Sequence, residues 1–208
     1  MSTELGPAPG APHDRFARAL AAFDRLNAED PNQVSVSEGG SVRPRELVDA
    51  ERLSAAVELL EPRASEALRL AARCQHLRRW EIPRSSYPEG RIGYLEWRKA
   101  LSRFHADRAS EVLRSAGYDD GTIERVRAIN LKRAITQDPD VQTMEDALCL
   151  VFLEHEAAEF AEKHPEEKVI DILRKTWRKM SERGRAAALA LPLQSGVRAL
   201  VERALSAG

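Results

Sequence analysis

Three polar residues occupy positions that helical spacing assigns to apolar faces, and together they carry the donor types of a metal centre. His76 follows Leu68 and Ala72 at four-residue steps, so it projects from their face. His105 lies one turn after Leu101 and one before Ala109. Asp146 shares a stripe with Cys149, Leu150, Leu153 and Ala157, on a helix that is apolar around most of its girth. An isolated charge in the interior is strongly unfavourable, so such groups need partners. Two imidazoles and a carboxylate suit a divalent transition metal, which makes His76, His105 and Asp146 the candidate metal ligands. Bound metal would turn a water into a nucleophile, with Glu145 and Glu154 as the candidate catalytic proton-transfer groups. Each residue also has a structural reading: an inward histidine bonds a backbone carbonyl, and an aspartate early in a helix complements its dipole.

A second constellation follows the first histidine. From Arg78 to Arg108 there are eight basic residues and four acidic ones in a chain whose net charge is -1. Arg79, Arg84, Arg91 and Arg98 interleave with Trp80, Tyr87, Tyr94 and Trp97. Guanidinium forks grip phosphate oxygens while aromatic rings stack on a base, so Arg79, Trp80, Arg84, Tyr87, Arg91, Tyr94 and Arg98 are the candidate substrate-binding residues. The expected ligand is a small phosphorylated molecule or a nucleotide, with RNA as a further partner class. The structural reading is a solvated helix face whose aromatics belong to the core.

Helices must position both groups. Alanine and leucine dominate the apolar residues, and few side chains favour pleated structure, which predicts an all-α, single multi-helix domain over 13–208 behind an unstructured tail over 1–12. Helices are expected at Asp14 to Asp30, Pro44 to Leu60, Ala64 to Arg79, Tyr94 to Ala116, Thr122 to Lys132, Val141 to Lys163, Glu167 to Met180, Ser181 to Leu189 and Ser195 to Leu205. The small residues of the third predict close packing and a central place. Between Trp80 and Gly93, Pro83, Pro88 and Gly90 break every period and predict a functional loop. Cys74 and Cys149 lack the spacing of a disulfide framework or a thiolate zinc cluster. With no membrane-length apolar run and no export signal at its start, the chain is expected in the cytoplasm, away from membranes. Its 32 basic and 33 acidic residues argue against a generic polyanion binder.

The run R-C-Q-H-L-R-R-W-E-I-P-R-S-S-Y-P-E-G-R-I-G-Y-L-E-W-R, with F-H-A-D-R-A-S-E-V-L, V-Q-T-M-E-D-A-L-C-L-V-F-L-E and K-V-I-D-I-L-R-K-T-W-R-K-M-S-E-R-G, resembles a bacterial and fungal domain-of-unknown-function family, DUF4202. Some of its members have been labelled glutamyl-tRNA synthetases. The segment Lys179-Met180-Ser181-Glu182-Arg183 does resemble the lysine-rich loop of class I synthetases, but it falls at a helix end, and no nucleotide-binding α/β pattern accompanies it. Synthetase activity is not expected. The chain is more distantly similar to the HD superfamily of helical metal-dependent phosphohydrolases. That resemblance implies an HD-like bundle in which His76 stands for the paired histidine, His105 for an additional histidine and Asp146 for the late aspartate. Leu77 replaces the paired aspartate, and Asp49 or a neighbour lies where the first histidine belongs. The implied function is metal-dependent hydrolysis of a nucleotide or other phosphate ester; the alternative is a non-catalytic protein that binds an anion or RNA.

Overall fold

The computed structural model describes residues 12–36, 40–135 and 137–206. Ten α-helices hold most of the described backbone: α1 (Pro12–Asn27), α2 (Arg45–Leu60), α3 (Glu66–Cys74), α4 (Gly90–Ser115), α5 (Asp120–Asn130), α6 (Pro139–Val151), α7 (Ala157–Lys163), α8 (Glu166–Lys179), α9 (Glu182–Ala190) and α10 (Ser195–Ser206). The all-α expectation holds. One addition is a short antiparallel hairpin of β1 (Gln33–Ser35) and β2 (Val42–Pro44), in which Val34 pairs with Arg43. The predicted tail falls outside the described residues up to residue 11, and Pro12 opens α1.

Local chemistry explains the helix limits. Ser65, Asp119 and Ser181 each accept a backbone N–H of the first turn that follows, at the starts of α3, α5 and α9. Gly117, with φ of +87°, turns the chain after α4. As its small side chains predict, α3 is central: it packs against α1, α2, α5 and α6 with Leu68, Leu70 and Ala71 fully buried. Two helix predictions need correction. The third helix stops at Cys74 rather than Arg79, so His76 sits in the turn beyond it. The long helix predicted over 141–163 is interrupted by a π-helical turn, Phe152–Glu156, between α6 and α7.

The turn after α3 ends in a strained residue. Arg78 adopts φ of +55°, a left-handed conformation that costs a non-glycine side chain about 1 to 2 kcal/mol. An ion pair from its guanidinium to Glu29 at 2.9 Å helps to hold it there. The reversal throws Arg79 and Trp80 outward into a 3₁₀ turn, Arg79–Glu81.

Candidate functional site

That turn forms one wall of an open cleft of about 410 Å³ lined by Pro31, Asn32, Arg45, Glu46, Arg79, Trp80, Ile82, Pro83, Arg84 and Trp97. Its other wall is the beginning of α2. The buried Asp30 carboxylate accepts the Glu46 backbone N–H at 3.0 Å and both the backbone and side-chain N–H groups of Asn32, and Arg45 N donates to Asn32 O at 2.9 Å. The Asp30-Pro31 pair, read from sequence only as a helix stop, thus fixes the first turn of α2. Across the cleft, the Trp97 indole donates to Ile82 O at 2.9 Å and ties the loop to α4. The Arg79 guanidinium lies 5.5 Å from the Trp97 ring centroid and 3.9 Å from Glu46.

The three guanidiniums have different commitments. Arg84 donates to the carbonyls of Tyr87, Pro88 and Gly90, so it builds the loop. Arg79 has the long approach to Glu46 and the Trp97 ring. The Arg45 side chain makes no hydrogen bond or ion pair with any described residue, and neither does the Trp80 indole. Glu46 is buried, and that burial pushes its carboxyl up to about 8 despite Arg79.

Beneath the cleft, His76 and His105 do come together, with ring centroids 5.9 Å apart in an edge-to-face arrangement. The His105 Nδ1–H donates to Leu77 O at 2.8 Å, which leaves Nε2 as a buried acceptor without a partner. Burial pulls His105 down to about 4, and it pulls His76 well below the ordinary range with help from Arg79. Both rings are neutral at physiological pH.

Residues 17–201 match the model of a domain of unknown function, DUF4202. The chain belongs to the DUF4202 family. No curated protein and no solved structure matches it. Among the described residues of this DUF4202 domain, no group of three or more His, Cys, Asp or Glu side chains is arranged to hold a metal ion.

Asp146 therefore does not join the histidines as a ligand. It is fully buried, and both its oxygens are engaged: Oδ1 accepts from Gln142 Nε2 at 3.0 Å and Ser181 N at 2.8 Å, and Oδ2 accepts from the Ser181 hydroxyl. It anchors the start of α9. The fit there is close enough that a Cβ on Gly184 would stand 2.5 Å from Asp146 Cγ. Glu145 is paired with Lys132 and, at 3.5 Å, with Lys179. Burial acts to raise its pKa, but the two lysines outweigh that and hold it below the ordinary range. Glu154 is on the π-turn, 3.6 Å from His155, and does not line the cleft.

The seven arginine and aromatic candidates divide as well. Arg79, Trp80 and Arg84 line the cleft, and Tyr87 does not. Arg91, Tyr94 and Arg98 are on the outer, exposed face of α4, where the Arg98 guanidinium lies 6.0 Å from the Tyr94 ring. The stripe that α4 turns inward is Gly93, Trp97, Leu101 and His105. Sequence reading missed Arg45, Glu46 and Asn32. Their signal was present in Asp30-Pro31-Asn32 and in the charged pair directly after Pro44 at a helix start.

Proposed function

We propose that this protein binds a phosphorylated ligand of nucleotide size in the cleft between the start of α2 and the loop after α3. The observation that carries the reading is the Arg45 guanidinium, paired with no described residue, in the same cleft of about 410 Å³ as Arg79 and the Trp80 indole. Two planar cations grip phosphate oxygens, an indole face stacks on a base, and Asn32 adds a polar group that reads orientation. An Arg committed to a carboxylate would have to break that pair first; Arg45 forms no ion pair with a described residue, although Glu46, Glu156 and Glu159 feel its charge.

Titration calorimetry with adenosine and guanosine mono-, di- and triphosphates, against inorganic phosphate, tests this. The expected result is saturable nucleotide binding that is tighter than that of phosphate alone, weakens with added salt, and falls at least tenfold in Arg45→Ala. Absence of saturable binding across the series, or unchanged affinity in Arg45→Ala, rejects the reading. Phosphate release in the same samples, with and without added Mn2+, separates a binding protein from the metal-dependent phosphohydrolase that the sequence suggested.

A further inference from the structure

The edge of the cleft and the start of α4 form one continuous surface. Arg84, in the cleft wall, donates to the carbonyl oxygens of Pro88 at 2.8 Å and Gly90 at 3.4 Å, and Trp97 of α4 lines the same cleft. A Cβ on Gly93 would stand 2.0 Å from Pro88 O, so the helix is pressed against the loop with no side chain between them. A ligand that extends out of the cleft along this loop meets the first turns of α4.

Those turns are sparsely covered. Between residues 90 and 99 only Gly93 and Trp97 are buried. Ile92 is 76% exposed, Leu95 53% and Tyr94 43%, so three of the seven large hydrophobic side chains exposed among the described residues fall within four positions. Such a grouping marks a contact surface, whereas single exposed apolar residues do not. Arg91, Arg98, Lys99 and Arg103 surround it at helical spacing, all of them exposed, in a row about 18 Å long. Arg98 donates to the Tyr94 hydroxyl at 3.3 Å. The side chains of Arg91, Lys99 and Arg103 make no hydrogen bond or ion pair with any described residue. Glu89 and Glu96 are the acids of this stretch, so the four cations are in surplus. The neutral balance of the whole chain does not oppose an anionic partner here, because the surplus is local.

The occupant has to match a cationic row, an exposed phenol ring and a nucleotide-sized cleft at one end. A second copy of the chain would set the surplus of cations against itself. A single nucleotide ends in the cleft and leaves the row unused. We propose that the ligand is a single-stranded nucleic acid, with one nucleotide in the cleft and the strand beyond it following α4 across Arg91, Tyr94, Arg98, Lys99 and Arg103. Cations that track a backbone, beside rings that stack on bases, hold single strands without reading their sequence. A duplex keeps its bases in the stack, out of reach of the cleft. The inference rests on the nucleotide reading of the cleft and extends it from one nucleotide to a chain.

The test is fluorescence anisotropy with a labelled oligoadenylate of about 12 nucleotides, alongside calorimetry with AMP. The oligomer is expected to bind more tightly than AMP by about tenfold or more, and to weaken more steeply with added salt. The triple variant Arg91→Ala/Arg98→Ala/Lys99→Ala, its fold checked by circular dichroism, is expected to weaken the oligomer about tenfold, lower its salt slope by about two and leave AMP unaltered. Arg45→Ala is expected to weaken both ligands. AMP binding with no advantage for the oligomer, or oligomer affinity unchanged in the triple variant, overturns the proposal and leaves the cleft reading standing. Oligomer binding that needs the helix face but is untouched by Arg45→Ala rejects the cleft reading, and with it the entry of the strand there. Equal affinity for the duplex with oligouridylate overturns the single-strand assignment. Binding of phosphatidylserine vesicles that the triple variant abolishes, while oligomer affinity persists, assigns the face to a membrane surface and overturns the proposal.

Discussion

Among the clefts formed by the described residues, two have equal volumes of about 410 Å³ and differ in how their charges are spent. The second lies among α1, α3 and α5 and is lined by Arg15, Glu66, Ala67, Asp119, Gly121, Thr122 and Arg125. There every charged group has a partner. Arg15 lies 4.6 Å from the Tyr118 ring and 3.5 Å from Glu66, and the Tyr118 hydroxyl donates to Glu66 at 2.7 Å. Asp119 caps α5 through Thr122. Arg125 forks onto Asp138 and reaches Asp140 at 2.7 Å. Size does not separate this cleft from the one beside α2; an excess of arginine over carboxylate there, and an Arg45 side chain paired with no described residue, do. A concave surface is a candidate for binding where its polar groups lack protein partners, and a piece of scaffold where they have them.

Acid should separate the two regions most strongly. His105, under the first cleft, has an ordinary pKa of 6.5 once unfolded and about 4 when folded. Between those values the unfolded chain binds more protons at this ring, so its contribution is complete above about 6.5 and is lost as pH falls towards 4, while Glu46, raised to about 8, acts in the opposite direction. This one ring is expected to account for about 3 kcal/mol, with His76 acting in the same direction. Under the second cleft, the Arg125 guanidinium holds Asp138 down to about 2, so that pairing persists through the same range. Urea denaturation at pH 7, 5.5 and 4 measures the slope, and His105→Gln should flatten it. An unchanged slope in His105→Gln would contradict the neutral buried ring.

The next largest effect is on binding. The double variant Arg45→Ala/Arg79→Ala is expected to lose about 2.7 kcal/mol of nucleotide affinity, a factor of about 100, without change in fold. Arg125→Ala should do the reverse. Calorimetry is expected to show nucleotide affinity within about twofold of wild type, while thermal unfolding records a loss of about 1 to 2 kcal/mol, because a forked network anchoring the start of α6 is broken. The smallest effect is expected from Arg91→Ala and Arg98→Ala. Both are on the exposed face of α4, so stability should stay within about 0.5 kcal/mol and small-ligand affinity should be unaltered. A large loss of nucleotide affinity in either would move the ligand from the cleft to the outside of the helix.

The helices themselves were legible because their signals are local. Apolar spacing, the Ser65, Asp119 and Ser181 caps and the Gly117 terminator each act within one or two turns of chain. The hairpin was missed because its strands are three residues long, too short for alternation to register. The end of α3 was missed because Gln75, His76 and Leu77 continue a helical pattern that the left-handed Arg78 then reverses. Of the proposed metal trio, the sequence placed all three inside, but only the two histidines meet.

What the sequence determined by itself was which residues lie on inward faces, since a periodicity of 3.6 residues is a property of one helix at a time. What only the tertiary structure decided was which inward polar groups find partners. Asp146 is satisfied by Ser181, 35 residues away, and Arg125 by Asp138 and Asp140. The side-chain carbonyl oxygens of Asn27 and Gln75 are not satisfied by any described residue. Pairing is a relation through space between elements remote in the chain, and the free energy of a buried polar group depends on that relation rather than on its own place in a helix.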